Sequence, residues 1–512
     1  MYRGRHVCKW MYYSFNVIIA IANISMILML QNYRHHDKVV TDRAERQDLN
    51  RVILEWHPKQ HFQRNNSSFE ARAEERLTPT LDNQHVNVTG NFGGKMAQRT
   101  TTPPNNASKN IIRKVIKDFK VRTRKLYSFN CLPLIRGDKN AVQSTLLMLR
   151  KKPYIPATDE FLESLTHSEH CKTFKFVLGY ADAPLSVEEA EFPIAYSIKL
   201  HQSAAQVERL LRNIYMPQNV YCIYVDKKSP QQLHKAMKNL VGCFENVFFA
   251  SHVEEFIYAS SSQMMADIQC MRDLAEYPVN WKYHINLAGQ EFPLKTNLEI
   301  VKVLKLFNGT NDIETYVDRT PNQTSKRYFH GWTVKDGRMY KPSYTKKPAN
   351  KFEFLWKGSA YNLFSREFVD FILTDPDAIT FIDWLHDTYA PEEAVWATLN
   401  RLPKAPGGYQ SPIEVRHDRD THASRAVIWM WDRGVKCHGM LQRGVCVFSV
   451  EDLPWLLSKP QLFANKFYLE YDPILMECLE EVLENRTKIA RPELFINWQY
   501  YNNLPHIKNE LK

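Results

Sequence analysis

Between residues 192 and 289, short β-rich apolar runs alternate with segments of helical periodicity. The apolar runs are FPIAYSIKL, VYCIYV, NVFFA and WKYHINL, in that order along the chain. Helical patterns stand between them, around residues 206–214 and 266–274. Buried strands that alternate with helices are typical of a parallel sheet with helices packed on its faces. The sequence therefore predicts an α/β fold with a central, mostly parallel sheet.

The positions directly after these strands are the first candidate site residues. Open α/β sheets bind their ligands beyond the carboxyl ends of the strands. Asp226 follows one predicted strand, and Ala288-Gly289 ends another. Both positions are therefore candidates on the pattern alone.

Composition excludes several classes of protein. With 512 residues, of which 44% are hydrophobic and 24% charged, the chain can bury a large core, which excludes wholesale disorder and a collagen-like fold. A mean hydropathy of −0.44 excludes a protein with many membrane spans. The net charge of +11 favours an acidic partner such as phosphate, nucleic acid or anionic lipid, and does not choose among them.

One membrane span remains compatible with this composition. Residues 11–30 contain no charge, and twenty helical residues match a hydrocarbon core of roughly 30 Å. The residues before the run include basic side chains and no acid: Arg3, Arg5 and Lys9. The positive-inside rule then predicts a cytoplasmic tail (1–10), a signal anchor (11–30) and a luminal remainder. A cleaved signal peptide is the alternative, since Ala20-x-Ala22 suits a peptidase, but the apolar run continues well past that site.

Two further features suit a luminal location. Asn-x-Ser/Thr glycosylation acceptors beyond the span stand at Asn65, Asn66, Asn87, Asn106, Asn308, Asn322 and Asn485. Of nine cysteines, only Cys8 precedes the span, and the remaining eight allow up to four disulfides with the connectivity open. The chain has no Cys-x-x-Cys pair or His-rich cluster, which argues against a zinc site.

Residues 31–127 are rich in Gln, Asn, Arg, Thr and Pro and show no sustained apolar period, so we predict a flexible luminal stem. The alternative, a disordered extension, does not differ from a stem in its physical properties, and only the predicted anchor before it makes it a tether. The catalytic domain is then predicted at residues 128–490, followed by a C-terminal extension at 491–512.

Enzymes that use nucleotide sugars often hold the diphosphate through a divalent metal on an Asp-x-Asp pair. After Asp226 the chain continues with Lys227-Lys228 rather than a second acid. Two other stretches match the pattern, Asp375-Pro376-Asp377 after a helical segment and Asp418-Arg419-Asp420 in a polar loop. Both are weak candidates for metal binding.

Without a metal, a leaving diphosphate needs fixed cations. Arg443 and Lys466 are embedded in apolar sequence and could supply them, although a structural salt bridge is equally compatible with that pattern. Residues 388–393, TYAPEE, begin a predicted helix with acids at its positive end, which favours ordinary helix-start electrostatics. A carboxylate there could also be a general base that takes the proton of an attacking sugar hydroxyl.

Seven long strings, in chain order, resemble one family. They are FPIAYSIKLH, NIYMPQNVYCIYVDKKS, GCFENVFFAS, NWKYHINLAGQEFPLKTNLEIV, KGSAYNLFSREFV, DTYAPEEAVWATLNRLPKAPG and CVFSVEDLPWLLSKPQLFANKF. Together they are similar to the β1,6-N-acetylglucosaminyltransferases that make core 2 and I branches on mucin-type and poly-lactosamine glycans. The likeness covers roughly Cys131 to Cys478.

The resemblance implies a GT-A-like α/β domain that works without metal, and a type II enzyme of the Golgi membrane. It implies inverting transfer from UDP-GlcNAc to a galactose or GalNAc of a glycan acceptor, with no cofactor. The predicted luminal topology argues against a nucleic-acid partner. Glu393 would be the general base, taking the proton of the acceptor's C6 hydroxyl. Arg443 and Lys466 would stabilise charge on the departing UDP.

The resemblance also assigns binding residues and disulfides. The positions that line the donor would be Lys199, Leu200, His201, Asp226, Lys227, Lys228 and Tyr258. The positions that contact the acceptor would be Glu314 and Trp431. The implied disulfides are Cys131–Cys478, Cys171–Cys243, Cys222–Cys270 and Cys437–Cys446, which use all eight luminal cysteines.

Departures from the family pattern concern the acceptor side. Ala288 stands where the family has a free cysteine, and Gln263 ends a Tyr-Ala-x-x-Ser-Arg string that the family completes with arginine. The basic loop after Glu314 does not align, although Lys326 and Arg327 are candidates for its role. Two alternatives therefore stay open: a catalytically silent member that binds a UDP-sugar or glycan, and a related peptide xylosyltransferase.

Overall fold

The structure is a computed structural model that describes residues 106–120, 124, 126–316, 328–340, 344–347, 349, 352, 355–409 and 422–508. The predicted cytoplasmic tail, the predicted anchor and the sequons at Asn65, Asn66, Asn87 and Asn322 lie outside these residues. So do Asp418 and Asp420, and the loop residues Lys326 and Arg327. No helix among the described residues is long and apolar enough to cross a membrane.

The described helices and strands follow one another in a mixed α/β order. The helices are α1 (Asn106–Lys120), α2 (Cys131–Ile135), α3 (Lys139–Lys151), α4 (Asp159–Leu165), α5 (Cys171–Leu178), α6 (Val187–Ala190), α7 (Ala204–Ile214), α8 (Gln231–Val241), α9 (Ser262–Glu276), α10 (Asn297–Phe307), α11 (Arg366–Thr374), α12 (Pro376–Trp384), α13 (Glu392–Leu399), α14 (Leu453–Ser458), α15 (Pro473–Ile489), α16 (Trp498–Asn502) and α17 (Pro505–Lys508). The strands are β1 (Ile194–Leu200), β2 (Val220–Val225), β3 (Val247–Phe249), β4 (Tyr283–Ala288), β5 (Glu291–Pro293), β6 (Asp312–Tyr316), β7 (Thr333–Lys335), β8 (Arg338–Tyr340), β9 (Lys357–Ser365), β10 (Arg425–Val427), β11 (Met440–Gln442), β12 (Val445–Val447) and β13 (Phe463–Asn465).

The central sheet has six strands in the order β3-β2-β1-β4-β9-β6. The first four run parallel, and β9 is antiparallel to both of its neighbours. Side chains of β1 alternate between two cores: Ile194, Tyr196 and Ile198 face one and Ala195 faces the other, as the period of a strand requires. The predicted mostly parallel sheet is confirmed, and it fits a GT-A-like domain.

A smaller sheet, β10-β13-β5, packs beside the central one and has its own core. It begins where β4 ends, because only Gly289 and Gln290 separate β4 from β5. A side chain at Gly289 would lie 3.1 Å from both Leu200 Cβ and Val207 Cγ2, so the turn needs glycine for close packing. The hairpin β11–β12 adjoins this sheet through the contact of Phe448 N with Lys466 O at 3.0 Å.

The packed part of the chain is larger than the predicted catalytic domain. Helix α1 lies inside the predicted stem, but its Ile116 is fully buried against the main core and Lys120 Nζ donates to Leu178 O at 2.9 Å. At the other end, Tyr501 and Leu504 of the predicted C-terminal extension are buried in the same core. Packed residues therefore extend beyond the predicted domain at both ends, because apolar side chains of α1 and of the last described segment contact this core.

Four disulfides join the cysteines in the pairs that the resemblance implied. They are Cys131–Cys478, Cys171–Cys243, Cys222–Cys270 and Cys437–Cys446. The predicted pairing is confirmed. Cys437–Cys446 closes the base of the hairpin that carries Arg443, and Cys222–Cys270 ties β2 to α9, so two of the four brace elements that carry candidate site residues.

Candidate active site

Asp226 stands at the carboxyl end of β2, where the sequence placed it, and organises the loop that faces it. Its side chain is buried, and Oδ1 accepts from Lys228 N at 3.2 Å and Phe256 N at 3.1 Å. The neighbouring Lys228 side chain is about half exposed, and its Nζ lies 3.9 Å from Asp226 Oδ2. Asp226 therefore fixes residues 251–261, here called the donor loop, against the end of the sheet.

Lys199 and Leu200 differ in what they present to this site. Lys199 turns away from solvent and pairs through Nζ with Asp267 Oδ2 of α9 at 2.7 Å, and it also donates to Gln263 O. Leu200 is buried, and its carbonyl accepts from Asp226 N at 2.9 Å. Both side chains are thus committed to contacts within the protein, and the roles of Lys199, Leu200 and His201 in donor binding stay predictions.

Arg443 and Lys466 approach from the smaller sheet. Lys466 directly follows β13, and Arg443 occupies the tip of the β11–β12 hairpin with φ +51°, a left-handed conformation that few side chains adopt. The guanidinium of Arg443 lies 5.0 Å from the ring centre of Tyr258, an exposed side chain of the donor loop. Two residues that the resemblance placed on the donor are thus in contact, although they are far apart in sequence.

The charges at this end act on one another. Burial lowers the pKa of His201, and the cations Arg443, Lys228 and Lys466 lower it further against the opposing effect of Asp226. Burial also lowers the pKa of Lys466, and Arg443 adds to that shift. Neighbouring cations form a site that an anion would stabilise. We call Lys228, Arg443 and Lys466, together with the adjacent His201, the cationic end.

Trp431 lies against the same hairpin. Its indole stacks on Trp429 with ring centres 4.9 Å apart, and it is 63% exposed. A side chain at Gly444 would meet Trp431 at 3.5 Å, so the ring borders the turn that carries Arg443. An exposed indole beside a cationic site is suited to cover the face of a sugar ring.

Glu393 lies in the first turn of α13, as the sequence predicted. Its Oε2 is 3.5 Å from Lys357 Nζ at the start of β9, and about a third of the side chain is exposed. Lys357 was not among the predicted site residues, although it opens one of the strings that carried the resemblance. A partly exposed carboxylate near an ammonium can be reached by a substrate hydroxyl, which is what a general base requires.

Glu392, the neighbouring acid, has a different environment. Its Oε2 is buried and has no hydrogen-bond partner among the described residues. Burial raises the pKa of Glu392 to about 7, and the charge of Glu393 adds to the rise while Lys199 opposes it. The two adjacent carboxylates therefore differ in their surroundings: Glu393 is partly exposed and lies near Lys357, whereas Oε2 of Glu392 is buried.

Glu314, Glu392 and Glu393 form what we call the acidic end of the site. Glu314 lies in β6, and its carbonyl oxygen would be only 2.1 Å from a Cβ atom added to Gly358 of β9. Burial raises the pKa of Tyr361 on β9, and the carboxylates Glu291, Glu314 and Glu393 all contribute to the rise. All three carboxylates therefore lie close enough to Tyr361 to affect its pKa.

A buried ion pair lies between the acidic end and the cationic end. Arg425 Nε donates to Glu291 Oε2 at 2.7 Å with both side chains fully buried, and Asn465 Nδ2 donates to Glu291 Oε1 at 3.1 Å. Asn465 immediately precedes Lys466, and the charge of Glu291 also raises the pKa of Lys466 against its burial. The sequence analysis missed this pair, because residues 134 positions apart give no local signal.

One backbone hydrogen bond and one contact between side chains join the donor loop to the turn before Glu393. Ala390 N donates to Ala259 O at 2.7 Å, and Ser261 Oγ lies 3.4 Å from His386 Nδ1. Both alanines have positive φ, +49° and +59°, an unfavourable conformation that persists because the surroundings hold it. The predicted donor and catalytic residues therefore belong to one connected site.

The Asp375-Pro376-Asp377 motif has a structural role. Asp375 caps α12 by accepting from Asp377 N and Ala378 N, and both acids pair with Lys404 Nζ at 2.6 and 2.8 Å. Its weak candidacy as a metal site is not supported. Across the part of the chain that the structure describes, no group of three or more His, Cys, Asp or Glu side chains is placed to hold a metal ion.

Comparison with known proteins identifies the family. A family model described as "Branch: Core-2/I-Branching enzyme" matches residues 194–457, which include β1, the donor loop, Glu393 and Arg443. A Homo sapiens relative named beta-1,3-galactosyl-O-glycosyl-glycoprotein beta-1,6-N-acetylglucosaminyltransferase is 40% identical over 373 residues, covering 70% of this chain and 85% of its own length.

Other relatives carry corresponding names. The Bos taurus protein, numbered 3 in that series, is 39% identical over 370 residues, and the Bovine herpesvirus 4 protein is 38% identical over 372 residues. Each alignment covers 70% of this chain and 83% of the relative. The chain therefore belongs to the Core-2/I-branching enzyme family and is an enzyme in the β-1,6-N-acetylglucosaminyltransferase class of its relatives.

Proposed function

We propose that this enzyme transfers GlcNAc from UDP-GlcNAc, in β1,6 linkage and with inversion, to a galactose or GalNAc of an O-glycan or lactosamine acceptor. The observation that carries the proposal is one connected site with a cationic end and a partly exposed carboxylate. The cationic end, beyond β1 and β2, suits a nucleoside diphosphate. Glu393, paired with Lys357, stands at the start of α13 and suits deprotonation of a sugar hydroxyl.

In the proposed reaction, Glu393 takes the proton of the acceptor's C6 hydroxyl. The oxygen attacks the anomeric carbon of the donor from the face opposite to UDP, so the α-linked sugar becomes β-linked in one displacement. The bond to UDP breaks, and Arg443 and Lys466 stabilise the negative charge that grows on the diphosphate. Trp431 and Glu314 are the proposed acceptor contacts, and the exposure of Trp431 supports its part.

We propose further that the reaction needs no metal and that the enzyme is a type II protein of the Golgi membrane. Two cations of the cationic end, Arg443 and Lys466, would take the place of a metal on the diphosphate. Support for the location comes from the uncharged run at residues 11–30, and the four disulfides suit an oxidising lumen.

The test is a transfer assay on the purified luminal part, residues 31–512, with UDP-GlcNAc and a panel of core 1, core 3 and lactosamine acceptors. We expect a β1,6-linked product on at least one acceptor, identified by linkage analysis, and undiminished rates in EDTA. UDP binding without transfer to any acceptor would favour the catalytically silent alternative. Transfer of xylose to a peptide would favour the xylosyltransferase, and loss of activity in EDTA restored by manganese would contradict the metal-independent mechanism.

A further inference from the structure

The turn that precedes Glu393 is held in place from outside the site. We call residues 384–391 the base turn, and residues 329–332 with 344–347 the clamp segment. Helix α13, which follows the base turn, has only eight residues and no side-chain hydrogen bond at its N-cap, Pro391. The base turn also contains Ala390 with its positive φ. A short uncapped helix start in a strained turn needs external contacts to hold one geometry.

Lys346 of the clamp segment supplies the central contact. Its side chain is 5% exposed, and Nζ donates to Trp384 O at 2.5 Å, to Thr388 Oγ1 at 2.9 Å and to the carboxylate Oδ1 of Asp387. The ammonium also lies 4.0 Å from the ring centre of Trp384. Three acceptors account for the three N–H groups of an ammonium, so this lysine is saturated by the base turn.

Further contacts also join the clamp segment to the base turn. Trp332 N donates to Asp387 O at 2.7 Å, and Trp384 Nε1 donates to Lys347 O at 3.0 Å. The Trp332 ring meets Tyr389 with centres 4.8 Å apart. The clamp segment therefore holds both ends of the base turn, while the hydrogen bond from Ala390 N to Ala259 O fixes it to the donor loop.

We propose that Lys346 is a positioning residue for transfer: by holding Trp384, Asp387 and Thr388 it sets the place of Glu393 relative to the donor loop. Lys346 takes no part in the chemistry itself, because its protons are committed to the base turn. This inference rests on the proposed role of Glu393. A misplacement of about 1 Å in a reacting group can cost roughly a hundredfold in rate. Loss of the Lys346 contacts should therefore lower the rate of transfer.

The test compares Lys346→Met, Lys346→Arg and wild type in the luminal part of the chain. Methionine keeps most of the volume and removes the donors, whereas arginine retains the charge and can reach the same acceptors. We expect Lys346→Met to lower kcat by about 10- to 100-fold, with UDP affinity within about twofold of wild type because the cationic end is untouched. The kcat of Lys346→Arg should lie clearly above that of Lys346→Met, because arginine can restore some of the lost hydrogen bonds.

Lys335→Met is the matched control. Lys335 is an exposed lysine of strand β7, just after the clamp segment's first part. It should leave kcat and the melting temperature unchanged. Thr388→Val provides a second variant if Lys346→Met does not fold, since it removes only one of the three acceptors and should give a smaller loss, about three- to tenfold.

Amide hydrogen exchange gives a readout that does not depend on catalysis. In Lys346→Met, or in Thr388→Val to a smaller extent, amides of residues 385–393 should exchange faster than in wild type, while those of β1 and β2 stay unchanged. Normal turnover of the folded fraction together with normal exchange in this turn would overturn the inference. If wild type transfers no sugar to any acceptor, the proposed function fails, whereas exchange still decides whether Lys346 holds the turn.

Discussion

The two ends of the active site are built on different principles. At the cationic end, burial and Arg443 lower the pKa of Lys466, so the like charges oppose one another until an anion binds. At the acidic end, Glu393 already has Lys357 as a partner, and the base turn is held by Lys346 and the donor loop. Under the proposed function, the first end would bind a negative charge that the substrate brings, whereas the contacts at the second end would fix the position of the enzyme's own carboxylate.

Apart from the loss of the proposed base, the largest effect is expected from removing a cation. Lys466→Ala should lower kcat more than it raises the donor KM, by about 2–4 kcal/mol in the barrier, because the charge it meets grows as the bond to UDP lengthens. Steady-state kinetics and the melting temperature should be measured together, with the exposed Lys488→Ala as control. An unstable variant whose folded fraction turns over normally would make Lys466 a structural residue.

The acidic end can be tested through the pH dependence of stability. The pKa of Glu392 is raised to about 7 by burial, so the folded protein holds this proton more tightly than the unfolded chain. Its stabilising contribution is present at low pH and is lost as pH rises from about 4.5 towards 7. Glu392→Gln should remove that loss, on the order of 2 kcal/mol between pH 5 and pH 8.

Chemical denaturation at a series of pH values measures this difference, and the exposed Glu367→Gln in the first turn of α11 is the control. Other buried acids such as Asp472, whose pKa is also raised by burial, titrate alike in all three proteins and cancel in the comparison. Parallel pH profiles for wild type and Glu392→Gln would show that Glu392 is not held neutral.

The Asp375-Pro376-Asp377 motif belongs to neither end of the site, and its loss should affect stability but not activity. Asp375→Ala removes the cap of α12 and the contacts with Lys404, and should cost about 1 kcal/mol of unfolding free energy. Transfer should stay at the wild-type rate, with and without manganese. A fall in activity that manganese reverses would return Asp375-Pro376-Asp377 to the list of metal sites.

The smallest effect is expected at the surface of the cationic end. Tyr258→Ala removes the ring beside Arg443, a contact worth about 0.5–1 kcal/mol at an exposed position. We expect the donor KM to rise about two- to fivefold while kcat stays constant, because the ring orients Arg443 without contacting the bond that breaks. A fall in kcat larger than the rise in KM would place Tyr258 nearer to the chemistry.

Local patterns in the sequence predicted much of the fold. Strands β1, β2 and β4 and helix α13 are close to where the apolar runs and the acids at a helix start placed them. Helix α1 was missed, although its apolar residues recur at helical spacing: Ile112, Val115, Ile116 and Phe119. The polar composition of the surrounding segment outweighed that signal.

The candidate site was predicted only in part, for a physical reason. Asp226, Glu393 and Arg443 stand at strand ends, a helix start and a hairpin tip, and similarity to a family identified them. The partners that tune them, such as Lys357 beside Glu393 and Lys346 on the base turn, come from distant segments. A charge in such a segment gives no sign of its partner until the chain is folded.

The central claim is that Glu393 is the base of a site whose other end binds the diphosphate. The most direct measurement is transfer by Glu393→Gln beside its UDP affinity determined by calorimetry. The account predicts that transfer falls by at least 10² to 10⁴-fold while UDP binds nearly as in wild type, since the cationic end is intact. Undiminished turnover in Glu393→Gln, with loss of turnover in Glu392→Gln instead, would contradict the account and assign the base to Glu392.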